Sequence, residues 1–510
     1  MRRGLRAALG AQARPSAWRL SLAALLGAAV AAGQAPWNLW FVTLAALGIL
    51  TTLIAAEARS ARRIWLGWIG GAGYFAAALF WIVEPFLIDV ARHGWMAPFA
   101  LLLMAFGMAL FWAVAAAVAG LGRGRGTRAL GFALGLAATD LLRGYIFTGF
   151  PWALVGHVWI DTPVMQAAAW IGPVGLTALT TLAAALPTLG RGRAARAGLA
   201  GAAVLALAAV WMAGAARLAA PEPARDPGIR VRLVQPDADQ RLKWQGDTWQ
   251  VFLDRLLVAS AEPAERPLDL IVWPETAVPF LLERSGPFFE GELAAAAQGV
   301  PVATGIQRSE GARYFNSLAV IDGSGRVGAV YDKWHLVPFG EYVPVAELAA
   351  RFGLAAFAAQ EGYGYTAGPG ARVLDLGRAG KVLPLICYEA VFPQDLNAAP
   401  ERADWILQIT NDGWFGRIAG PYQHLAQARL RAVEQGLPVL RAANTGVTAA
   451  IDAKGRVRQS LPLGAEGWFD VDVPAALPAT LYARTGDLPA TILLGMTILA
   501  LGLARRRQSH

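Results

Sequence analysis

Seven long apolar runs separated by short connections, and an eighth near the C-terminal end, constrain this chain more than any other feature of its sequence. They lie at about 18–34, 37–56, 64–83, 95–120, 128–147, 163–189, 197–216 and 487–504. A helix that crosses a bilayer needs roughly 20 mainly apolar residues, so each run is a candidate span. The connections alternate in charge. "ARSARR" (58–63), "RGRGTR" (123–128) and "RGRAAR" (191–196) are arginine-rich, as are the segment before the first run and the "RRR" (505–507) after the last. The intervening connections are arginine-poor: "GQAPW" has none, 84–94 has Arg92 against Glu84 and Asp89, and 148–162 has none. Positive charge collects on cytoplasmic loops, so the alternation predicts an even number of spans with both termini cytoplasmic. It places residues 218–486 on the outer face of the cytoplasmic membrane. The first run has no small-residue cleavage site before a soluble chain and reads as the first span.

The charge count supports this division. Residues 1–217 contain 17 Arg, no Lys and 5 acidic residues, so the chain's formal +9 lies wholly in its lipophilic part. A polyanion-binding surface would show its excess on a soluble face, so nucleic acid is not an expected partner. A single cysteine, Cys387, excludes an intramolecular disulfide framework. The five histidines are scattered outside any metal-binding spacing, so no metal and no cofactor is expected.

Residues 218–486 alternate short β-rich runs with helical patterns at about 247–262, 285–298 and 421–436. This order predicts a layered α/β domain. Three apolar runs end in reactive side chains: "LDLIVWPE" at Glu275, "RVGAVYDK" at Lys333 and "KVLPLIC" at Cys387. Ligand crevices of open α/β sheets lie beyond the carboxyl ends of strands, so neighbouring strands would bring a carboxylate, an ammonium and a thiol together. A free thiol is a weak nucleophile at neutral pH until a base takes its proton. Glu275 can take that proton. Lys333, with a backbone N–H following Cys387, can stabilise the oxyanion of a tetrahedral intermediate. The chemistry so defined is acyl transfer through a thioester.

"WPETAVP" (273–279), "YDKWHLVPFGEYVP" (331–344), "ICYEAVFP" (386–393) and "NDGWFG" (411–416) resemble the signature blocks of the carbon–nitrogen hydrolase (nitrilase) superfamily. With spans before and after the domain, the chain looks like the membrane branch of that superfamily. The resemblance implies an α-β-β-α sandwich and a Glu–Lys–Cys triad, with Cys387 as nucleophile, Glu275 as general base and Lys333 as oxyanion-stabilising cation. It implies supporting roles for Glu341, Tyr388 and Glu389, and substrate engagement for Trp244. Asn411 and Asp412 would shape the pocket. His335 and His424 offer a Cys–His alternative that the superfamily does not use.

The implied reaction moves an acyl chain from a membrane phospholipid, by way of the cysteine thioester, to the N-terminal amine of a diacylglyceryl-cysteine apolipoprotein. This is the last step of lipoprotein maturation, and it implies a bacterial inner-membrane enzyme. The expected organisation is a membrane domain of about seven helices (1–217), a catalytic domain (218–486), and a final helix with a basic tail (487–510). Expected partners are the phospholipid donor, the apolipoprotein acceptor and the bilayer, with the protein a monomer. A membrane-tethered hydrolase using water as acceptor, and a transporter or receptor whose outer domain only binds ligand, are the competing classes. "LAARFGLAAFAAQEGYGY" (348–365) is a candidate membrane-dipping lid.

Overall fold

The computed structural model describes residues 14–243, 246–344 and 364–507. The chain divides into two compact units: one runs to Ala220 and takes in Arg484 onward, and the other is Pro221–Ala483. Trp244 and almost all of the lid candidate lie outside the described residues.

In the first unit every apolar run forms a helix. These are α1 (Ala17–Val30), α2 (Trp40–Ala56), α3 (Ser60–Ala78), α4 (Ala97–Val118), α5 (Arg125–Tyr145), α6 (Ala168–Ala185) and α7 (Arg193–Ala219). The final helix, Leu488–Arg507, belongs to this unit, where Leu494 packs with Leu134, Ala137 and Val174. Among the described residues, four helical stretches are long and apolar enough to cross a membrane, or five if the bent pair Ser60–Ala78 and Phe80–Leu87 is one span. That is fewer than the eight runs. The first two helices have only 14 and 17 residues, and α5 carries Arg125, Arg128, Asp140 and Arg143.

The charges inside α5 serve the fold. Arg143 binds Asp140 at 3.0 Å and donates to the carbonyls of Phe150 and Trp152, each at 2.6 Å. Asp140 accepts from the Val155 N–H and the Thr177 hydroxyl. The pair thereby satisfies polar groups of the irregular backbone after α5.

The second unit is a sandwich of two six-stranded mixed sheets. In chain order the strands are β1 (Arg230–Gln235), β2 (Leu270–Val272), β3 (Val302–Glu310), β4 (Arg313–Ile321), β5 (Val327–Asp332), β6 (Leu374–Asp375), β7 (Lys381–Ile386), β8 (Trp405–Thr410), β9 (Val439–Ala443), β10 (Thr448–Ile451), β11 (Val457–Leu461) and β12 (Gly467–Asp472). The sheet orders are β12-β1-β2-β3-β4-β5 and β11-β10-β9-β8-β7-β6. The helices α8 (Thr248–Ala261) and α9 (Gly286–Ala297) cover the first sheet with Leu253, Leu256, Phe289 and Leu293, set against Ile271, Val302 and Ile306. On the second sheet, α10 (Gly420–Gln435) sets Ala428 and Ala432 against Leu383, Ile406 and Val439. The layering is therefore α-β-β-α.

Parallel strands are buried on both faces, which explains the near-continuous apolar runs of β7, β8 and β9. Pro384 is tolerated inside β7 because the two-residue β6 pairs only with Lys381 and Val382. The edge strand β11 is largely exposed and carries Arg458 and Gln459 outward.

Gly305 in β3 marks the point where the first sheet supports the site. Its N–H donates to Pro274 O and its carbonyl accepts from Ala277 N, gripping the turn that carries Glu275. A Cβ here would lie 2.5 Å from Glu275 Cα and from Thr276 N. Backbone cannot yield as a flexible side chain can. Gly305→Ala is expected to cost about 1–3 kcal/mol by overpacking. Thermal unfolding of the purified protein should show a lowered midpoint, and an unchanged midpoint would contradict this packing.

Candidate active site

Four strand ends converge in the second unit. β2 and β5 run in the same direction within the first sheet, and β7 and β8 run parallel in the second. Glu275 follows β2, Lys333 follows β5, Cys387 follows β7 and Asn411 follows β8. All four are at least nine-tenths buried, as is Glu341 in the loop beyond β5. Trp273, wholly buried and bonded to Ser260, anchors the Glu275 turn from behind.

Lys333 is the electrostatic hub. Its ammonium lies 2.8 Å from Glu341 and 3.7 Å from Glu275 Oε1. Burial works against its charge, but Glu341, then Glu275 and Cys387, outweigh it and hold the lysine firmly protonated. Asn316 on β4 donates from one amide to both carboxylates, at 2.7 Å to Glu275 and 2.9 Å to Glu341. The second oxygens are also held: Asn411 N–H donates to Glu275 at 2.8 Å, and Val337 N–H donates to Glu341 at 2.8 Å. These donors fix the orientation of Glu275.

Cys387 has a φ of +51°. This left-handed conformation is rare for a residue with a side chain and carries strain of order 1–3 kcal/mol. It turns the chain sharply from β7 into the 3₁₀ segment Cys387–Val391 and presents the thiol at the strand end. Burial first, and then the Glu275 charge, push the thiol's pKa up, while Lys333 opposes them. The resting form is therefore the thiol, and its activation needs a base at the moment of attack.

Tyr388 is buried beside the nucleophile, edge-on to Phe392 and to His335. Glu389 faces elsewhere. Its carboxyl accepts from Tyr331 OH and from the Trp334, His335 and Ile386 N–H groups, tying the Lys333 loop to β7. Asn411 also bonds Gln240 through its side chain, while Asp412 turns toward His424 and Arg441. His335 pairs with Asp395 at 2.9 Å.

Three participants were not singled out from sequence. Asn316 reads there as an ordinary strand residue. Arg441 sits in an apolar strand. Lys243 is buried, with its amine 3.4 Å from the Glu275 carbonyl, and burial lowers its pKa to about 7 against the pull of Glu275.

A buried thiol, carboxylate and ammonium at strand ends of an α-β-β-α sandwich define a carbon–nitrogen hydrolase domain. Residues 230–480 match the family model described as "Carbon-nitrogen hydrolase", and residues 26–186 match "Apolipoprotein N-acyltransferase N-terminal domain". A Rhodopseudomonas palustris protein named "Apolipoprotein N-acyltransferase" is 37% identical over 515 residues, covering 96% of each chain. A Brucella melitensis protein of the same name is 40% identical over 522 residues and 97% of each chain. Among solved structures, a Xanthomonas campestris CN-hydrolase superfamily protein is 21% identical over 52% of this chain and 96% of its own, with a TM-score of 0.34. An amidase from Nesterenkonia sp. is 18% identical over 54% and 98%, with a TM-score of 0.36. The chain belongs to the apolipoprotein N-acyltransferase family.

Glu389 offers a pH test of its clamp. Burial pushes its carboxyl up to about 7, against the Ile386 and Trp334 N–H donors. The folded state thus holds this proton more tightly than the unfolded chain does. The contribution is complete below the ordinary carboxylate range and is lost as pH rises through 7. The loss is on the order of 3 kcal/mol. Between pH 5 and 8 the melting temperature should fall less steeply in Glu389→Gln than in the unaltered protein; equal slopes would contradict the assignment. Any slope from Asp395 is common to both.

Proposed function

We propose that this protein is a phospholipid:apolipoprotein N-acyltransferase of the bacterial inner membrane, acting through a thioester on Cys387. The reading is supported above all by relatives of that name that match across both units, with the Glu275–Lys333–Cys387 cluster supplying the chemistry.

Glu275 removes the thiol proton as Cys387 Sγ attacks the ester carbonyl of the phospholipid. The carbonyl oxygen becomes an oxyanion stabilised by the Lys333 ammonium and the Tyr388 N–H. When the intermediate collapses, the C–O bond breaks and the lysophospholipid leaves with the proton held by Glu275. The acyl chain remains as a thioester. The α-amine of the diacylglyceryl-cysteine then attacks the same carbonyl and gives its proton to Glu275. Collapse breaks the C–S bond, and the returning proton restores the thiol beside the new amide. Glu341 and Asn316 keep Glu275 and Lys333 in place through both half-reactions. Glu389 holds the lysine loop against β7, and Trp244 engages substrate.

In the full reading, eight helices span the membrane, both termini are cytoplasmic, and the catalytic domain faces the periplasm. The enzyme works as a monomer. The alternating arginine-rich connections support this topology.

Labelled phospholipid incubated with purified protein should leave an acyl adduct on Cys387, detected by mass spectrometry and absent from Cys387→Ala. A diacylglyceryl peptide with a free amine should discharge it. Discharge by water alone at the same rate would make the protein a hydrolase, and failure to form any adduct would end the reading. Topology has its own test, because Cys387→Ala removes the only cysteine. In that background a cysteine at the exposed position 324 should react with an impermeant maleimide in spheroplasts. One at the exposed position 193 should react only after permeabilisation. The reverse pattern would invert the topology.

A further inference from the structure

Behind the nucleophile lies a charged cluster that the mechanism above does not use. His424 on α10, Asp412 after β8 and Arg441 on β9 are essentially inaccessible to solvent. His424 Nδ1 lies 2.9 Å from Asp412 Oδ1, and the other Asp412 oxygen is bound by Arg441 Nη2. Thr410 adds a hydroxyl donor to Asp412 at 3.1 Å. Arg441 Nε is fixed in turn on the Val447 carbonyl at 3.2 Å. The chain of contacts ends on the nucleophile's own backbone, where His424 Nε2 lies 3.0 Å from the Cys387 carbonyl oxygen. Gln408 Nε2 approaches the same oxygen at 3.4 Å.

A carbonyl oxygen only accepts, so His424 Nε2 carries the proton in this contact. Nδ1, 2.9 Å from Asp412 Oδ1, then has no proton to give and accepts from Arg441 Nη2 at 3.4 Å, in keeping with the burial and the Arg441 charge that lower the ring's pKa. Both nitrogens of the His424 ring thus contact groups other than the thiol. What the ring does hold is a peptide plane. In a trans peptide the C=O and the following N–H point in opposite directions. Anchoring the Cys387 oxygen toward α10 and β8 therefore aims the Tyr388 N–H the other way. The same anchor keeps Cys387 at its unfavourable φ.

We propose that His424, oriented by Asp412 and Arg441, is a positioning residue that holds the Cys387–Tyr388 peptide so that the Tyr388 N–H serves as oxyanion donor. The inference rests on the acyl-transfer reading above.

The test separates oxyanion positioning from thiol reactivity. Acylation of Cys387 by phospholipid builds an oxyanion, whereas alkylation of the same thiol by iodoacetamide does not. In His424→Leu the acylation rate should fall about 100-fold, the effect of a small misplacement of a reacting group. Its KM should change little and alkylation should keep its rate. His424→Gln, whose amide can again donate to the Cys387 carbonyl, should recover most of the loss. If His424→Leu does not fold, Gln408→Met, which removes the longer of the two donors, should show the same split to a smaller degree. Unchanged acylation, or a parallel fall in acylation and alkylation, would overturn the proposal. An unaltered protein that forms no adduct would instead sink the acyl-transfer reading itself.

Discussion

Charges taken out of water must answer one another, and in this site nearly all of them answer Lys333. Two buried carboxylates, Glu275 and Glu341, would repel each other at such range. The ammonium between them and the shared Asn316 amide make their coexistence possible. Breaking such a pair leaves an uncompensated buried charge, which is far costlier than losing an exposed one. The arrangement therefore ties catalytic geometry to folding. Glu275 cannot drift without exposing Lys333 to an imbalance, and Lys333 cannot leave without setting two anions against each other.

That balance explains why the nucleophile rests as a thiol. A nearby cation alone would favour thiolate, but burial and the Glu275 charge act more strongly in the other direction. The resting site therefore holds a neutral thiol together with a carboxylate and an ammonium. The positive φ of Cys387 belongs to the same logic. The sharp turn after β7 sets side chain and following peptide at one strand end, and interactions on the far side of the sheet over-determine the strained backbone.

The parts of this molecule that could be read from sequence are those whose signal is local. Each apolar run between arginine-rich connections became a helix, although α1, α2 and α5 are too short or too charged to pass as spans by composition alone. Glu275, Lys333 and Cys387 were legible because each closes an apolar strand with a reactive side chain. Asn316 was not, since an Asn inside "NSLAVID" has no distinguishing neighbours. Its role follows from β4 lying beside β5, where its carbonyl accepts from Lys333 N–H. His424 and Arg441 sit 37 and 54 positions beyond Cys387, and nothing near them in the chain announces the carbonyl they serve. Strand β12 also escaped notice. "GWFDVD" lies between Pro- and Gly-containing stretches and is fixed as a strand by pairing antiparallel with β1 along six residues.

That last pairing joins Arg230 to Asp472 across nearly the whole domain. The earliest strand of the sandwich can acquire its outer neighbour only after almost everything between them has been synthesised, and the nucleophile's backbone contacts likewise await Asp412, His424 and Arg441. During translation, a chain that has already exposed Cys387 therefore holds a thiol on an unfinished strand end, without its anchored carbonyl or its closed sheet. The site is therefore incomplete until the last strands of the sandwich are made.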